Sequence, residues 1–450
     1  MGECTAGGDS GALSDMKDLT SLSASDLAAA IRAHRVSATE VMNAYLDRID
    51  RMNPSLNAIL HVDPERSLAA AARADDVDGP RGRLHGVPIT LKDSHRVAGM
   101  PTIVGNPDAS RATATSDGFV AQRLRAEGAI VIGKTNVARD LADFQTDNPV
   151  FGRTSHPSDP ALTPGGSSGG AAAAVAARLT PIEVGSDIAG SVRIPAHFTG
   201  IIGLKPSAGV IPTRGHITQP VMHPRGGGVS ALATIGPMAR SFDDIRLLMG
   251  LLGNLRSTDR IEPSAVSVGV ITELPGLRVQ ASIRDAVTSF AKSAEGSGIR
   301  VESVEPPLDS DEQHEAWVEV YQAARTSGGS WPKVARVADR QAPAFRAWER
   351  ALRRHEAIIL PPAMCAAFSH RPTGTPIDVD GKPVPYWGLA RYAEPFNLTG
   401  HPAIVLPAGR DRDGLPIGVQ IVAALGRDGR LLRLAAWLGS LKQAEAPPPN

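Results

Sequence analysis

The sequence predicts an α/β protein, on three observations. Short apolar runs of strand length alternate with amphipathic stretches of helix length. The 45 glycines and 36 prolines gather between those runs, where turns are needed. A 42% hydrophobic, 21% charged composition over 450 residues supplies a large core, in one large domain or two.

The elements follow in order. Ser23 with Asp26, and Ser37 with Glu40, have the spacing of helix-start capping boxes, so two amphipathic helices should follow them. Residues 81–86 are turn-like, and 87–91 (VPITL) form a short strand that delivers Lys92 at its end. Alternation along a strand sends Lys92 and Asp93 to opposite faces. A helix over 118–127 and a strand over 129–133 repeat the rhythm, and a polar loop over 136–164 leads to the run PGGSSGG.

That run has the backbone freedom of a tight, pocket-lining loop that exposes its hydroxyls. An alanine-rich helix follows over 171–178, stopped before Pro181, then a buried strand over 182–184 and a turn at Gly185 towards Ser191. A helix of about ten residues rises roughly 15 Å and about five extended residues cover roughly 17 Å. The two paths cancel, so Ser167 and Ser191 are expected to meet.

Beyond this stretch, 200–209 and 226–237 look like glycine-rich loops, with a helix over 240–252. A strand, helix and strand over 266–271, 282–295 and 300–304 come in βαβ order. Residues 306–351 are polar and helical and are expected to be peripheral. Strands at 357–360, 403–407 and 418–422 and a helix over 430–441 close the chain before a plain APPPN tail.

Composition narrows the function. Lys and Arg number 47 against 47 Asp and Glu, so no global charge draws the chain to nucleic acid or an anionic membrane. Cys4 and Cys365 are too few for a disulfide framework or a cysteine-rich metal site, which makes a reducing cytoplasm the expected location. No signal peptide and no membrane span are expected, since no window approaches 18 uninterrupted apolar residues.

Several machineries can be weighed on the residues alone. GGSSGG lacks the lysine that a phosphate loop requires after its last glycine. G-x-S-x-G occurs twice, centred on Ser167 and Ser168, as in the nucleophile elbow of an α/β-hydrolase; His370 or His401 would then be the base. None of the twelve histidines forms a metal-binding H-E-x-x-H pair. A serine activated by lysine is the alternative. Bland readings stand beside these: a lysine ending a strand is usually a solvated charge, Ser168 a turn hydroxyl, Asp187 and Arg193 a surface pair, Leu141 loop packing and Asp143 a surface acid.

GVPITLKD around Lys92, TPGGSSGG around Ser167 and GSDIAGSVRIPA around Ser191 resemble the amidase signature family in order and separation. Lys92 precedes Ser167 by 75 positions, and Ser191 follows it by 24. GKTNV at Gly133, DNPVFGRT at Asp147, GPMARS at Gly236 and FNLTGHPA at Phe396 extend the similarity over most of the chain.

The resemblance implies the family's single large α/β domain, a mixed twisted sheet wrapped by helices, here over 16–443 with tails at 1–15 (disordered) and 444–450. It implies hydrolysis of a small-molecule amide through an acyl-serine, without metal or cofactor. Ser191 would be the nucleophile, Lys92 the general base, and Ser167, after a cis bond from Gly166, the relay between them. The N–H groups of Ile188, Ala189, Gly190 and Ser191 would form the oxyanion hole, and Leu141 and Asp143 align with the loop lining the acyl side. A homodimer is the family-level expectation.

An acyl-transferring or amide-forming enzyme, an amidotransferase subunit and an inactive binding scaffold are the other readings; SVRIPAHF after the nucleophile departs from the glutamine-containing sequence of the amidotransferase subunit. Three further departures concern the pocket. Ala189 stands where many members have glycine, Ala138 and Arg139 stand where proline and glutamate are common, and the stretch over 327–352 is short, opening the pocket or removing a lid.

Overall fold

The computed structural model describes residues 18–79, 82–216, 232–255, 261–326 and 331–445. Ser23 caps α1 (Ala24–Arg32) by accepting the Asp26 N–H, and Ser37 caps α2 (Ala38–Leu56) in a reciprocal box with Glu40. β1 (Ile59–Leu60) leads to α3 (Pro64–Asp75), which starts on a proline where no N–H is needed. β2 (Pro88–Lys92) runs parallel to β3 (Ile130–Thr135), and α4 (Phe119–Ala126) makes the crossover. These strands form a small sheet of order β1-β3-β2.

α5 (Gly169–Ala176), β4 (Ile182–Asp187), α6 (Arg193–Thr199), β5 (Ile202–Lys205), β6 (Thr234–Ala239) and α7 (Phe242–Leu252) follow. Next come β7 (Ser267–Val270), α8 (Ala281–Gly296), β8 (Arg300–Ser303), α9 (Ser310–Thr326) and α10 (Trp331–Leu352). β9 (Ala357–Leu360), the hairpin β10 (Ile377–Val379) and β11 (Lys382–Val384), α11 (Glu394–Leu398), β12 (Ala403–Arg410), β13 (Pro416–Val422) and α12 (Asp428–Glu445) complete the described chain.

Eight strands make the main sheet, in the order β4-β6-β5-β12-β13-β9-β7-β8. β7 pairs parallel with β8 and β9, while the remaining pairs are antiparallel, so the sheet is mixed. One apolar cluster packs α1, α2, α7, α8 and α12 onto it, and a second gathers Ile194, Phe198, Trp348, Tyr386, Tyr392 and Phe396. The predicted single-domain α/β architecture is the one observed. No helix among the described residues is long and apolar enough to cross a membrane.

Three expectations about the elements need correction. The glycine-rich stretch 200–209 contains β5, and 226–237 contains the start of β6, residues 226–231 lying outside the described chain. Gly203 and Gly236 are close-approach glycines rather than turn glycines: a Cβ on Gly203 would sit 2.6 Å from the Ala196 Cβ, and one on Gly236 would sit 2.1 Å from the Leu204 carbonyl oxygen. The last helix runs through Glu445, past the point where a tail was expected; residues 1–15 and 446–450 lie outside the described chain. The third correction, the role of α9, belongs to the site.

Candidate active site

β2 ends on Lys92, whose side chain is fully buried. Its Nζ lies 2.9 Å from Ser167 Oγ, 3.0 Å from Ser186 Oγ and 3.3 Å from the Ser186 carbonyl oxygen. Asp93 turns away and forms a buried ion pair with Lys134, Nζ to Oδ1 at 2.8 Å. Lys92 is therefore surrounded by hydroxyls and a carbonyl. Burial pulls its pKa down from 10.5 to about 7, against the upward influence of Asp187 and Glu183.

The Gly166–Ser167 peptide bond is cis. α5 starts two residues later, and the Ser168 N–H donates to the Ser191 carbonyl at 3.3 Å, which joins the glycine run to the loop after β4. Ser168, expected to be a turn hydroxyl, is buried and donates to the Ser186 carbonyl.

Residues 188–191, between β4 and α6, fold around Asp187. Its carboxylate accepts the N–H groups of Gly190 at 2.8 Å and Val192 at 3.1 Å, and Arg193 Nη2 reaches its Oδ1 at 2.9 Å. Burial alone would raise Asp187, but the Arg193 guanidinium and these N–H groups hold its carboxyl well below the usual range. Arg193 also donates to Asn397, Gln420 and the Ala393 carbonyl, and Asn397 returns a hydrogen bond to the Asp187 backbone. The expected surface pair is thus a fully buried ion pair. Partners about 200 residues away cover it, and no short-range pattern reports them.

This loop resolves two questions raised by the sequence. Ala189 is not among the residues with positive φ, whereas Gly190 has φ 99°. The methyl is accommodated, and the glycine stands where it is required: a Cβ on Gly190 would approach the Ile194 Cδ1 to 2.8 Å. The Gly190 N–H, however, is committed to Asp187. Among the described residues, the N–H groups of Ile188, Ala189 and Ser191 have no acceptor, leaving three of the four expected oxyanion donors free.

Glu183 on β4 was not anticipated. It is buried, accepts hydroxyl hydrogens from Thr90 and Thr135, and is pushed up to about 8 by burial. A glutamate inside an apolar strand, IEV, is its sequence signal.

Ser191 opens onto a cavity of about 420 Å³. Leu141, Ile188 and Ala189 line it, as do His314, Trp317 and Tyr321 from α9. The stretch expected to be peripheral is therefore a wall of the site, and Trp317 Nε1–H donates to the Ile188 carbonyl at 3.1 Å. His314, Trp317, Val318 and Tyr321 follow i, i+3, i+4, i+7 spacing, a single helix face that the sequence contained. Of the short 327–352 stretch, 331–352 form α10, and 327–330 lie outside the described residues. Across the loop 140–143 lies a polar cavity of about 820 Å³ lined by Arg139, Arg153, His370 and Arg371. Ala138 is buried beside that loop. Asp143 is half-buried, lines the cavity beside Ser191 together with Leu141, and accepts hydrogen bonds from Tyr386 and Thr373.

Neither rival base is hydrogen-bonded to Ser167 or Ser168, the serines it would have to activate. His370 faces the polar cavity, and burial lowers it to about 4. His401 is buried between Thr399 and Glu349, 2.7 and 3.0 Å away, and is likewise lowered to about 4 by burial.

Known proteins resemble this chain over most of its length. The family model described as Amidase matches residues 40–330 and 321–432. The chain is 32% identical over 459 residues to an indoleacetamide hydrolase of Bradyrhizobium diazoefficiens, covering 92% of this chain and 85% of that protein. It is 31% identical over 462 residues to an acylamidase of Rhodococcus erythropolis, covering 92% and 94%. A solved 6-aminohexanoate cyclic dimer hydrolase, complexed with its substrate, superposes with a TM-score of 0.80 at 27% identity over 94% of this chain and 98% of that one. Sequence blocks, fold and relatives converge, and the chain belongs to the amidase signature family.

Proposed function

We propose that the protein hydrolyses a carboxylic amide to acid and amine through an acyl-serine on Ser191. Neutral Lys92 accepts the Ser167 proton as Ser167 takes the Ser191 proton, and Ser191 Oγ attacks the amide carbonyl. The developing oxyanion is met by the N–H groups of Ile188, Ala189 and Ser191. Ser167 returns the proton to the nitrogen as the C–N bond breaks, amine leaves, and water attacks the ester with Lys92 again accepting a proton through Ser167. The acid departs and Ser191 is regenerated.

The observation that carries this reading is the buried Lys92 amine 2.9 Å from Ser167 Oγ, with Asp93 engaged elsewhere by Lys134. The substrates named for the relatives support a small-molecule amide. A reducing cytoplasmic setting belongs to the same proposal, since Cys365 is a buried free thiol that burial pushes up to about 12.

Labelling with a fluorophosphonate followed by peptide mapping tests it. The adduct is expected on Ser191; one on Ser167 or Ser168 would establish the nucleophile-elbow arrangement instead. Hydroxylamine should divert the acyl-enzyme to a hydroxamate. Negligible hydrolysis beside efficient transfer to an added amine would mark an amide-forming enzyme.

A further inference from the structure

In the proposed reaction the oxyanion is met by the N–H groups of Ile188, Ala189 and Ser191. Each N–H shares a planar trans peptide with the carbonyl of the residue before it. In such a plane the C=O and the N–H point in opposite directions, so whatever holds the carbonyl also aims the N–H.

The three carbonyls are held by different means. The Gly190 carbonyl, paired with the Ser191 N–H, accepts the Ile194 N–H at 2.7 Å where the chain enters α6. The Asp187 carbonyl, paired with the Ile188 N–H, accepts from Asn397 Nδ2 at 3.0 Å, within the buried network around Arg193. The Ile188 carbonyl, paired with the Ala189 N–H, accepts from Trp317 Nε1 at 3.1 Å. The first two clamps belong to the buried core, and the third comes from the cavity wall.

The indole is itself held. Its ring stacks on Tyr321, with centroids 5.0 Å apart and planes 11° apart, and it packs with Ile188 against Leu232, Val320 and Leu398. One turn earlier on α9, buried Gln313 accepts the Nε1–H of buried Trp348 at 2.6 Å, which ties α9 to α10. Trp317 therefore meets the Ile188 carbonyl from a fixed direction, and the indole N–H is the one polar group it brings.

Resting on the acyl-serine reading, we propose that Trp317 is a positioning residue for catalysis: by holding the Ile188 carbonyl it aims the Ala189 N–H at the developing oxyanion. The Ala189 N–H touches the reacting oxygen, and Trp317 acts through it.

This role differs from wall-filling in what it does to kcat. A ring that only lines the cavity matters for acyl groups large enough to touch it, and its loss raises KM. A clamp on an oxyanion donor acts in the transition state of every amide, whatever the size of the acyl group. Removing a donor outright typically costs roughly 100- to 1000-fold in rate; removing its clamp leaves the N–H in place but less well aimed, so about fivefold in kcat is expected.

The test uses the full chain with acetamide as the small amide and hexanamide as the large one. Trp317→Phe keeps a ring and removes the N–H. Site-specific replacement of Trp317 by 3-benzothienylalanine puts sulfur in place of the N–H and keeps the bicycle, so it isolates the hydrogen bond even where Trp317→Phe disturbs packing. Both proteins should show kcat lowered about fivefold on both amides, with KM within about twofold of the wild type. Fluorophosphonate labelling, whose phosphoryl oxygen occupies the same donors and which needs no substrate, should slow by about the same factor. Trp317→Leu should share the kcat loss on acetamide and add a larger rise in KM for hexanamide.

Unchanged kcat and labelling rate in the benzothienyl protein, or a loss confined to hexanamide, overturns the inference. Peptide mapping on the same preparations separates the two levels. An adduct on Ser191 formed equally fast in wild type and variant removes only the role of Trp317, whereas an adduct on Ser167 or Ser168 removes the Ser191 reading and this inference together.

Discussion

Residues 164–195 and helix α9 build two walls of one cavity by different means. The first is tied internally by short-range polar contacts and closed over by distant chain. Asp187 holds the N–H groups and guanidinium of residues three to six positions ahead, Ser168 holds Ser191, and Lys92, Ser167, Asp187 and Arg193 are all buried. α9 reaches the site through one face, and its Trp317 indole donates to the Ile188 carbonyl in the loop after β4. Buried, mutually satisfied polar groups fix the reacting atoms, since leaving any of them unpaired is costly. A half-buried helix face can change its side chains at small cost. In the proposed mechanism the reacting groups and the α9 wall thereby sit on parts of different tolerance.

The sharpest challenge to that division is removal of the reacting groups. Ser191→Ala, Lys92→Ala and Lys92→Arg should each lower kcat/KM for an amide by about 10³-fold or more while the protein remains folded, since arginine cannot give up its proton. A folded Lys92→Ala enzyme with near-normal amide turnover would falsify the lysine-base mechanism. Ser167→Ala should lose less than Ser191→Ala on an activated ester, whose leaving group needs no proton.

Next in size is the ion pair under the loop. Asp187→Asn keeps an acceptor for the loop N–H groups but strands the Arg193 charge in the interior, at a cost of about 3–5 kcal/mol measured by chemical denaturation. A loss below about 1 kcal/mol would mean that the loop is held by its backbone alone. The contrasting change, Trp317→Leu on α9, should cost about 2 kcal/mol or less and act mainly on KM for bulky amides.

The pH dependence is subtler. In the proposed mechanism Lys92 works deprotonated, and burial draws it down to about 7, so kcat/KM should fall tenfold per unit below about pH 7 and level off above it. Stability should follow the same group. Its folded pKa lies below the ordinary 10.5, so the unfolded chain binds the extra proton between about pH 7 and 10.5, and stability from this group rises across that window. Lys92→Met should remove that slope. Glu183, raised to about 8, gives the opposite sign: its contribution is full below the ordinary 4.5 and is lost as pH rises through about 8, and Glu183→Gln should remove it. An unchanged pH–stability curve in both variants would show that neither group titrates differently on folding.

The sequence by itself determined the elements and the chemical residues whose signals are short-range. Caps at Ser23 and Ser37, the strand that delivers Lys92, and the alanine helix after the glycine run depend on residues a few positions apart, and they are present as read. Lys92 and Ser167 stood out because a lysine and a serine at that separation match a colinear family pattern, and the structure puts their side chains 2.9 Å apart. Tertiary structure alone decided which polar groups are enclosed. Asp187 and Arg193 look like surface charges until Asn397 and Gln420 close over them, and α9 looks solvated until Trp317 meets Ile188. Whether a charge is solvated or buried, and whether a donor is free, depends on what packs against it from distant chain, and residue type and spacing carry no record of that cover.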